Sequence, residues 1–355
     1  MTKSLVLLTG GTGFLGYSIL VELLKSGYRV RVAARSQVKI QRVLAAPTIS
    51  SMAPSKDDLS FVIVPDMAAP GAYDDAIQGV QYVIHVASPL PTFGKGEPWA
   101  QEDVNGAFVT LSKQAALNIL KSAQTKGKGE IRRIVMTSST VALVPFEVFV
   151  ADTKARDLTR GPDSRVPTPP PPYMSEIATY CAGKNAALNS SEDFMKTNAT
   201  NFDLITIVPS WIFGTDELIT NVEGMRGVSS NSILADVLLG NKSEIDQAGN
   251  AVLCADVAKA HVKALDPAIE GNQSFILSRP MEWEAAIPIA KRYYPEAFDA
   301  GFLRDDGKQK TIPLKWDATK TKTVLGLDLA PFELMVKEVA DQYLKLLNME
   351  SREEK

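Results

Sequence analysis

A tyrosine and a lysine four residues apart give this sequence its clearest chemistry. They begin and end the run Tyr180-Cys181-Ala182-Gly183-Lys184, and residues four apart share one face of a helix. A tyrosine ordinarily titrates near pH ~10, and a neighbouring ammonium lowers that pKa. The spacing therefore predicts that the Tyr180 phenol donates a proton to a carbonyl that is being reduced. The same spacing also arises by chance, so its value depends on what precedes it.

A run of hydroxyl residues precedes this pair. Thr137-Ser138-Ser139-Thr140 directly follows the apolar run 131–136. A hydroxyl at the end of such a strand can hydrogen-bond the oxygen on which charge develops during reduction. The serine pair and the tyrosine pair are thus in the order that one active site requires.

Near the start of the chain, a glycine-rich segment indicates a binding site for a dinucleotide. The segment Gly10-Gly11-Thr12-Gly13-Phe14-Leu15-Gly16 lies between an apolar strand-like run and an amphipathic helix-like run. Glycine permits positive φ and close backbone approach, and the helix N-terminus offers free N–H groups to a pyrophosphate. This is the context of a dinucleotide fingerprint. The alternative is a glycine turn with no ligand.

The residues after the second apolar run favour NADP(H) over NAD. An NAD site ordinarily has an acid roughly 20 residues after the fingerprint, whereas this chain has Ala33-Ala34-Arg35-Ser36. Arg35 can bind a 2′-phosphate, and Lys39 lies one helical turn further on. Asp66 and Met67, after the third run, are in position to contact the adenine. The plainer interpretation is that Arg35 and Lys39 are solvated residues at a strand end and that Asp66 lies in a surface turn, with no ligand at either place.

The apolar runs predict the elements that position these residues. Strand-length runs occur at 5–9, 29–34, 59–64, 81–86, 131–136 and 202–208, and helix-length segments connect the first five. Near-continuous Val, Ile and Leu is typical of buried parallel strands. We therefore predict an α/β fold, a Rossmann doubly wound parallel sheet with a smaller C-terminal substrate lobe.

The predicted domains divide near residue 208. Residues 1–208 form the NADP-binding domain, and within it a proline-rich loop at 143–173 lies over the site. A disordered surface insertion is the alternative for this loop. Residues 209–348 form mainly the substrate lobe, with part returning to the main sheet, and 349–355 are a frayed tail.

Composition excludes several other functions. The chain has 355 residues, 45% of them hydrophobic, and a net charge of -3, so no basic surface for nucleic acid is expected. No apolar stretch approaches the ~20 residues of a membrane span, and the N-terminus lacks the pattern of a signal peptide. Cys181 and Cys254 fit a reduced, cytoplasmic protein. With only His85 and His261 to join them, no metal site is expected.

With these residues in view, the chain resembles the extended, NAD-dependent epimerase/dehydratase-like form of the short-chain dehydrogenase/reductase superfamily. More narrowly, it is similar to the group of dihydroflavonol reductases, yeast methylglyoxal reductase and fungal aldehyde or carbonyl reductases. The resemblance spans nearly the whole chain, and its marks are the runs 9–16, 34–36, 64–67, 85–89, 137–139, 180–184, 209–214, 256–261 and 322–327. It departs from the group at 143–147, where an acidic-Ser-Trp stretch is common.

The resemblance implies a role for each matching position. Ser139 matches the serine that polarises the substrate carbonyl, and Tyr180 matches the general acid. Lys184 matches the residue that bonds the nicotinamide ribose and lowers the pKa of Tyr180. The implied cofactor-binding positions are Gly10, Gly11, Thr12, Gly13, Phe14, Leu15, Arg35, Lys39, Asp66, Met67, Val86, Ala87, Ser88, Ser138, Tyr180, Lys184, Pro209 and Ile212.

The sequence thus predicts NADPH-dependent reduction of an aldehyde or ketone by hydride transfer, with Tyr180 as the general acid. A small carbonyl compound is the expected partner, and the protein is expected to be a cytoplasmic monomer or homodimer. Two alternatives stay open. One is an NAD-dependent epimerase or dehydratase acting on a nucleotide sugar, which ordinarily has an acid near position 34. The other is a non-catalytic NADP(H)-sensing protein on the same fold, which commonly lacks the Tyr/Lys pair.

Overall fold

Parallel strands form the centre of the fold. This computed structural model describes residues 3–90, 100, 102–151, 153–227 and 229–353. The strands are β1 (Leu5–Thr9), β2 (Arg29–Ala34), β3 (Leu59–Ile63), β4 (Tyr82–His85), β5 (Arg133–Thr137), β6 (Thr159–Arg160), β7 (Asp203–Pro209), β8 (Trp211–Phe213), β9 (Gln247–Ala248), β10 (Asn250–Leu253), β11 (Gln273–Leu277), β12 (Arg279–Pro280), β13 (Thr311–Ile312) and β14 (Lys315–Trp316).

Helices connect most of these strands. The α-helices are α1 (Phe14–Lys25), α2 (Gln37–Ala45), α3 (Pro47–Met52), α4 (Phe108–Lys126), α5 (Glu147–Val150), α6 (Glu176–Thr197), α7 (Val222–Met225), α8 (Ser230–Leu238), α9 (Cys254–Lys263), α10 (Ala286–Tyr293), α11 (Pro295–Asp299), α12 (Thr319–Thr323) and α13 (Phe332–Glu353). Short 3₁₀ turns occupy Thr140–Leu143, Lys154–Asp157 and Trp283–Ala285, and a π-type turn at Asp103–Ala107 precedes α4.

The main sheet has seven strands in the order β11-β7-β5-β4-β1-β2-β3. Every neighbouring pair is parallel, so the carboxyl ends of the strands meet at one edge. The order reverses between β1 and β4, which is the switch point where such sheets bind ligands. This architecture confirms the predicted doubly wound Rossmann fold.

Both faces of the sheet are covered because successive side chains of a strand point to opposite sides. Val6 and Leu8 of β1 pack in a core shared with α1 and α9, whereas Leu5 and Leu7 pack in a core shared with α4 and α6. The helix α1 that follows the glycine segment and the helix α6 that carries Tyr180 therefore lie on opposite faces.

A smaller sheet, in the order β12-β10-β8, forms the base of the C-terminal lobe with α8, α10 and α13. Its core contains Trp283, which is fully buried and donates its indole N–H to the Ala248 carbonyl at 3.1 Å. β8 follows β7 after the single residue Ser210, and β11 returns to the main sheet beside β7.

The proline-rich segment 143–173 contains short elements where the sequence indicated none. It includes α5, a 3₁₀ turn and β6, which pairs with β14, and residue 152 within it lies outside the described residues. Arg165 fastens the segment through bonds to the Glu192 carboxylate on α6 and, at 3.1 Å, to Ser274 Oγ on β11. Side-chain contacts from distant parts of the chain thus order this loop, and local propensity does not reveal them.

The ends of the elements differ modestly from those predicted. Most strands shift by one or two residues, which is ordinary at element ends. The last helix continues to Glu353 through most of the segment expected to fray, because Glu and Arg favour helix; residues 354 and 355 lie outside the described part. Among the described helices, none is long and apolar enough to cross a membrane.

Candidate active site

The glycine segment packs tightly between β1 and the turn after β4. Gly10 has φ +73°, and a Cβ on it would lie 2.8 Å from the Ala87 nitrogen. A Cβ on Gly11 would lie 2.9 Å from a methyl carbon of Val32, and one on Gly16 would overlap the Gly10 carbonyl. These three positions need glycine for the fold itself.

Gly13 differs from these three glycines because a side chain at this position would meet no close contact in the protein. It caps the N-terminus of α1 with φ -116° and ψ 174°, a conformation that any residue adopts. A Cβ there would come no nearer than 3.6 Å to the Gly10 carbonyl oxygen, and no side chain caps the helix. The space before the free N–H groups of α1 thus stays open, which is what a pyrophosphate needs. The residues present therefore fit a dinucleotide.

Thr9 joins the two sides of the switch point. Its Oγ1 accepts the backbone N–H groups of Val86 and Ala87, both at 3.1 Å, and lies 2.8 Å from His85 Nδ1. Because the oxygen already accepts two protons, its own proton goes to the His85 ring. Burial lowers the pKa of His85 to about 3, with a further contribution from Lys184, so the ring is neutral and structural. Sequence reasoning gave Thr9 no role of its own.

The residues predicted to bind the 2′-phosphate and adenine lie at the carboxyl ends of β2 and β3. Arg35 and Lys39 are exposed, and neither has a hydrogen bond or salt bridge to another described residue. Asp66 is exposed and accepts the Ala68 N–H at 2.8 Å through Oδ1. The Met67 carbonyl accepts from Asn118 at 3.1 Å. Two free cations beside the glycine segment suit an anionic ligand.

Tyr180 and Lys184 lie on α6, whose N-terminus is capped by Ser175 Oγ accepting the Ala178 N–H at 3.2 Å. Lys184 Nζ is 5.8 Å from the centroid of the Tyr180 ring and donates to Ser88 Oγ at 3.0 Å. Lys184 is buried, and that burial lowers its pKa to about 8. The ammonium therefore still predominates at neutral pH and links α6 to the turn after β4.

The pKa of Tyr180 shifts in the direction opposite to the one that the sequence predicted. Burial raises it, with a smaller contribution from Cys181. Lys184 Nζ bonds Ser88 and lies beside the ring of Tyr180. A phenol with a raised pKa stays protonated at neutral pH, which is the form that a proton donor needs.

The two serines after β5 have different surroundings. Ser138 donates its backbone N–H to the Ile207 carbonyl at 2.8 Å, while its buried Oγ has no hydrogen-bond partner in the described part of the chain. Ser139 is half-exposed and caps the following 3₁₀ turn, with Oγ 3.4 Å from the Val141 nitrogen. Because Ser139 Oγ accepts in this bond, its own hydroxyl proton is not used by it and can be donated to a ligand.

The remaining predicted positions follow β7. Pro209 ends that strand, and the next residue, Ser210, donates its N–H to the Leu277 carbonyl at 3.0 Å. Ile212 lies in β8, and its carbonyl accepts from Ser230 Oγ. Beside it, Trp211 stacks edge-on against Trp283, with ring centroids 6.4 Å apart.

These positions line one edge of the sheet, with the exposed cations at the β2–β3 end and the Tyr180/Lys184 pair beyond β4. The structure brings Lys184, Ser88 and Tyr180 together directly, and Thr9 links the turn containing Val86 and Ala87 to the glycine segment. The described residues hold no cluster of His, Cys, Asp or Glu that suits a metal ion.

Comparison with known proteins gives one consistent group. Residues 6–275 match the NAD dependent epimerase/dehydratase family. The chain is 37% identical to ketoreductase CTB6 of Cercospora nicotianae, over 98% of this chain and 96% of that protein. It is 31% identical to the NAD-dependent epimerase/dehydratase ALT6 of Alternaria alternata, over 97% and 99%. Among solved structures, yeast methylglyoxal/isovaleraldehyde reductase Gre2 complexed with NADPH superposes with a TM-score of 0.79 at 22% identity, over 97% and 99% of the two chains.

Proposed function

Because the chain belongs to the NAD dependent epimerase/dehydratase family, an extended group of short-chain dehydrogenases/reductases, and is an oxidoreductase, we propose that it reduces an aldehyde or ketone to an alcohol with NADPH. The observation that carries this proposal is the pairing on α6. A buried ammonium lies beside a phenol that stays protonated, at the carboxyl edge of a Rossmann sheet. That pairing fits proton donation to a carbonyl oxygen.

NADP(H) is the proposed cofactor. The glycine segment and the open N-terminus of α1 would hold the pyrophosphate, and Arg35 and Lys39 would bind the 2′-phosphate. Asp66 and Met67 would contact the adenine, and Pro209 and Ile212 would lie against the nicotinamide ring. The remaining positions would run beside the cofactor; these are Val86, Ala87, Ser88 and Ser138. When bound, the reduced nicotinamide supplies the hydride that the carbonyl carbon accepts.

Three side chains carry the protein's share of the reaction. The Ser139 hydroxyl donates a hydrogen bond to the substrate carbonyl oxygen and so orients it. The Tyr180 hydroxyl gives its proton to that oxygen, which leaves a phenolate that solvent later reprotonates. The Lys184 ammonium stabilises the phenolate and binds the nicotinamide ribose.

The central test removes the Tyr180 hydroxyl. We expect Tyr180→Phe to lower NADPH oxidation with aldehydes, ketones or β-ketoesters by about 100-fold or more, while NADP⁺ affinity, measured by calorimetry, changes little. Tyr173→Phe is the matched control, because the Tyr173 hydroxyl bonds the Pro169 carbonyl at 3.0 Å within the same region. Near-wild-type turnover by Tyr180→Phe would exclude the assignment.

The partner, assembly and location complete the proposal. We propose a small carbonyl compound as substrate and a cytoplasmic monomer or homodimer as the working form. Sedimentation of the purified protein distinguishes the two assemblies. Retention of NAD through purification, with turnover of a nucleotide sugar, would favour an epimerase or dehydratase instead.

A further inference from the structure

A carboxylate far along the chain fastens two helices of the cofactor-binding half. Glu217 lies in the loop between β8 and α7 and is half-buried. Its Oε2 accepts the Tyr17 hydroxyl at 2.7 Å and the Thr48 N–H at 2.9 Å, and its Oε1 accepts the Thr48 hydroxyl at 2.6 Å. All the donors converge on one carboxylate, so both of its oxygens are used. We call this arrangement the Glu217 clamp.

The clamp joins elements that hold different parts of the proposed cofactor site. Tyr17 is on α1, one turn after Gly13 at the open N-terminus. Thr48 is the second residue of α3, which directly follows α2, the helix that carries Lys39 and comes after Arg35. Glu217 therefore connects α1, the helix of the glycine segment, to α3, which directly follows the helix that carries Lys39.

A second bond from the same loop strengthens this connection. Arg42 on α2 donates its Nε–H to the Leu218 carbonyl at 2.7 Å. Arg42 and Lys39 are three residues apart on one helix, so they lie on neighbouring positions of its surface. The loop thus holds α2 one helical turn from Lys39.

The loop itself is anchored independently of the clamp. Asp216 exchanges two hydrogen bonds with the Gln342 side chain on α13, at 2.9 and 2.7 Å. Glu338, also on α13, accepts the Thr215 N–H at 2.9 Å. Removing the Glu217 carboxylate would therefore detach α1 and α3 from the loop, which would stay attached to the C-terminal lobe and, through Arg42, to α2.

The Glu217 clamp is expected to stay formed at neutral pH. Partial burial raises the pKa of Glu217, but the hydrogen bonds from Thr48 and Tyr17 together lower it by more than burial raises it. The pKa of Glu217 is therefore below its ordinary value. Burial together with Glu217 raises the pKa of Tyr17. At neutral pH a carboxylate thus accepts from a protonated phenol, which is a strong, charge-assisted hydrogen bond.

We propose that Glu217 is a positioning residue for the 2′-phosphate site. It sets the distance between the glycine segment and α2, so that Arg35 and Lys39 reach the 2′-phosphate when the pyrophosphate lies at α1. Glu217 itself touches no cofactor. This inference rests on the proposed NADPH dependence, and its effect belongs to cofactor selection and not to the chemical step.

The test compares Glu217, which lies in the loop, with Glu338, which bonds the same loop from α13. Glu217→Gln places an amide donor against the donors of Tyr17 and Thr48, whereas Glu338→Gln disturbs the loop only at α13. Calorimetric Kd values for NADP⁺ and NAD⁺ give the binding readout, and kcat and KM for NADPH give a second one. We expect Glu217→Gln to weaken NADP⁺ by about fivefold or more, with NAD⁺ and kcat nearly unchanged, and Glu338→Gln to leave the ratio unchanged.

Each other outcome overturns the inference in a recognisable way. Equal weakening of both cofactors means that Glu217 is merely structural, and an unchanged ratio means that it does not position α2. If Arg35→Ala removes a preference for NADP⁺ that Glu217→Gln leaves intact, only this inference fails. If the wild type binds NAD⁺ as tightly as NADP⁺, the proposed cofactor falls with it. Should Glu217→Gln not fold, Tyr17→Phe and Thr48→Ala, which remove fewer bonds, must shift the same ratio by a smaller factor.

Discussion

The two ends of the cofactor site treat their cations in opposite ways. Lys184, beside Tyr180, is buried and holds a hydrogen bond to Ser88, and burial lowers its pKa to about 8. Arg35 and Lys39, at the other end, are exposed and have no partner among the described residues. Desolvation makes a charge responsive to its neighbours, whereas solvation leaves it ready for a ligand that brings its own charge. The difference suits proton transfer at one end and anion binding at the other.

Removing the buried cation should have the largest effect. We expect Lys184→Met to lower turnover by about 100-fold or more, because the phenolate left by proton transfer loses its stabilising charge. Lys196→Met, on an exposed position of the same helix, is the control. Steady-state NADPH oxidation measures both variants. Comparable activity of the two would mean that the buried lysine has no catalytic part.

Removing an exposed cation should change the preference for NADP⁺ over NAD⁺ and leave the rate of the chemical step largely unchanged. We expect Arg35→Ala to lower the NADP⁺/NAD⁺ affinity ratio by about tenfold, or 1.4 kcal/mol, with kcat largely retained. Arg29→Ala is the control, since Arg29 bonds the Asp57 carbonyl at 3.0 Å at the opposite end of β2. Calorimetric titration with each cofactor gives the ratio. A smaller change would contradict the assignment of Arg35 to the 2′-phosphate.

The buried cation should also make stability depend on pH. The folded pKa of Lys184 is about 8, against an ordinary 10.5. Below pH 8 folded and unfolded chains both carry the proton; between the two values the unfolded chain binds more protons, so stability rises with pH there. Relative to Lys184→Met, we expect the wild type to gain up to about 1.4 kcal/mol per pH unit in this window. Urea unfolding across the window measures it, and parallel curves would show that the lysine is not desolvated.

The glycine segment allows the smallest and sharpest contrast. We expect Gly13→Ala to change the free energy of unfolding by less than about 1 kcal/mol, because its backbone conformation suits any residue. The same variant should weaken NADP⁺ several-fold, because its methyl group occupies the space before α1. Gly16→Ala should unfold the protein, since a Cβ there overlaps the Gly10 carbonyl. Thermal melts and calorimetry measure both effects; unchanged affinity of Gly13→Ala would move the pyrophosphate elsewhere.

Local pattern explains what the sequence predicted well. The strands of the main sheet are near-continuous apolar runs, and the glycine segment has its strand and helix directly beside it, so a short window contains the whole signal. The Tyr180/Lys184 spacing is also local, and the structure confirms that both residues lie on one helix.

Long-range contacts explain what the sequence did not predict. The partners of Glu217 are 200 and 169 residues away along the chain, and nothing near Glu217 indicates them. The direction in which the Tyr180 pKa shifts depends on burial, which the spacing does not determine. The segment 143–173 is likewise held by distant partners, since β6 pairs with β14 and Arg165 bonds Glu192 and Ser274.

The position of β11 has a consequence for how the chain is made. This strand completes the main sheet beside β7, yet it is synthesised only after β8, α8 and β10 of the small lobe. A fragment that ended near residue 208 would leave β7 as an open sheet edge, and such edges recruit other chains. During translation the main sheet therefore stays incomplete, with the edge of β7 exposed, until residue 277 has been synthesised. Cutting the protein at its apparent domain boundary would turn a folding unit into an aggregating one.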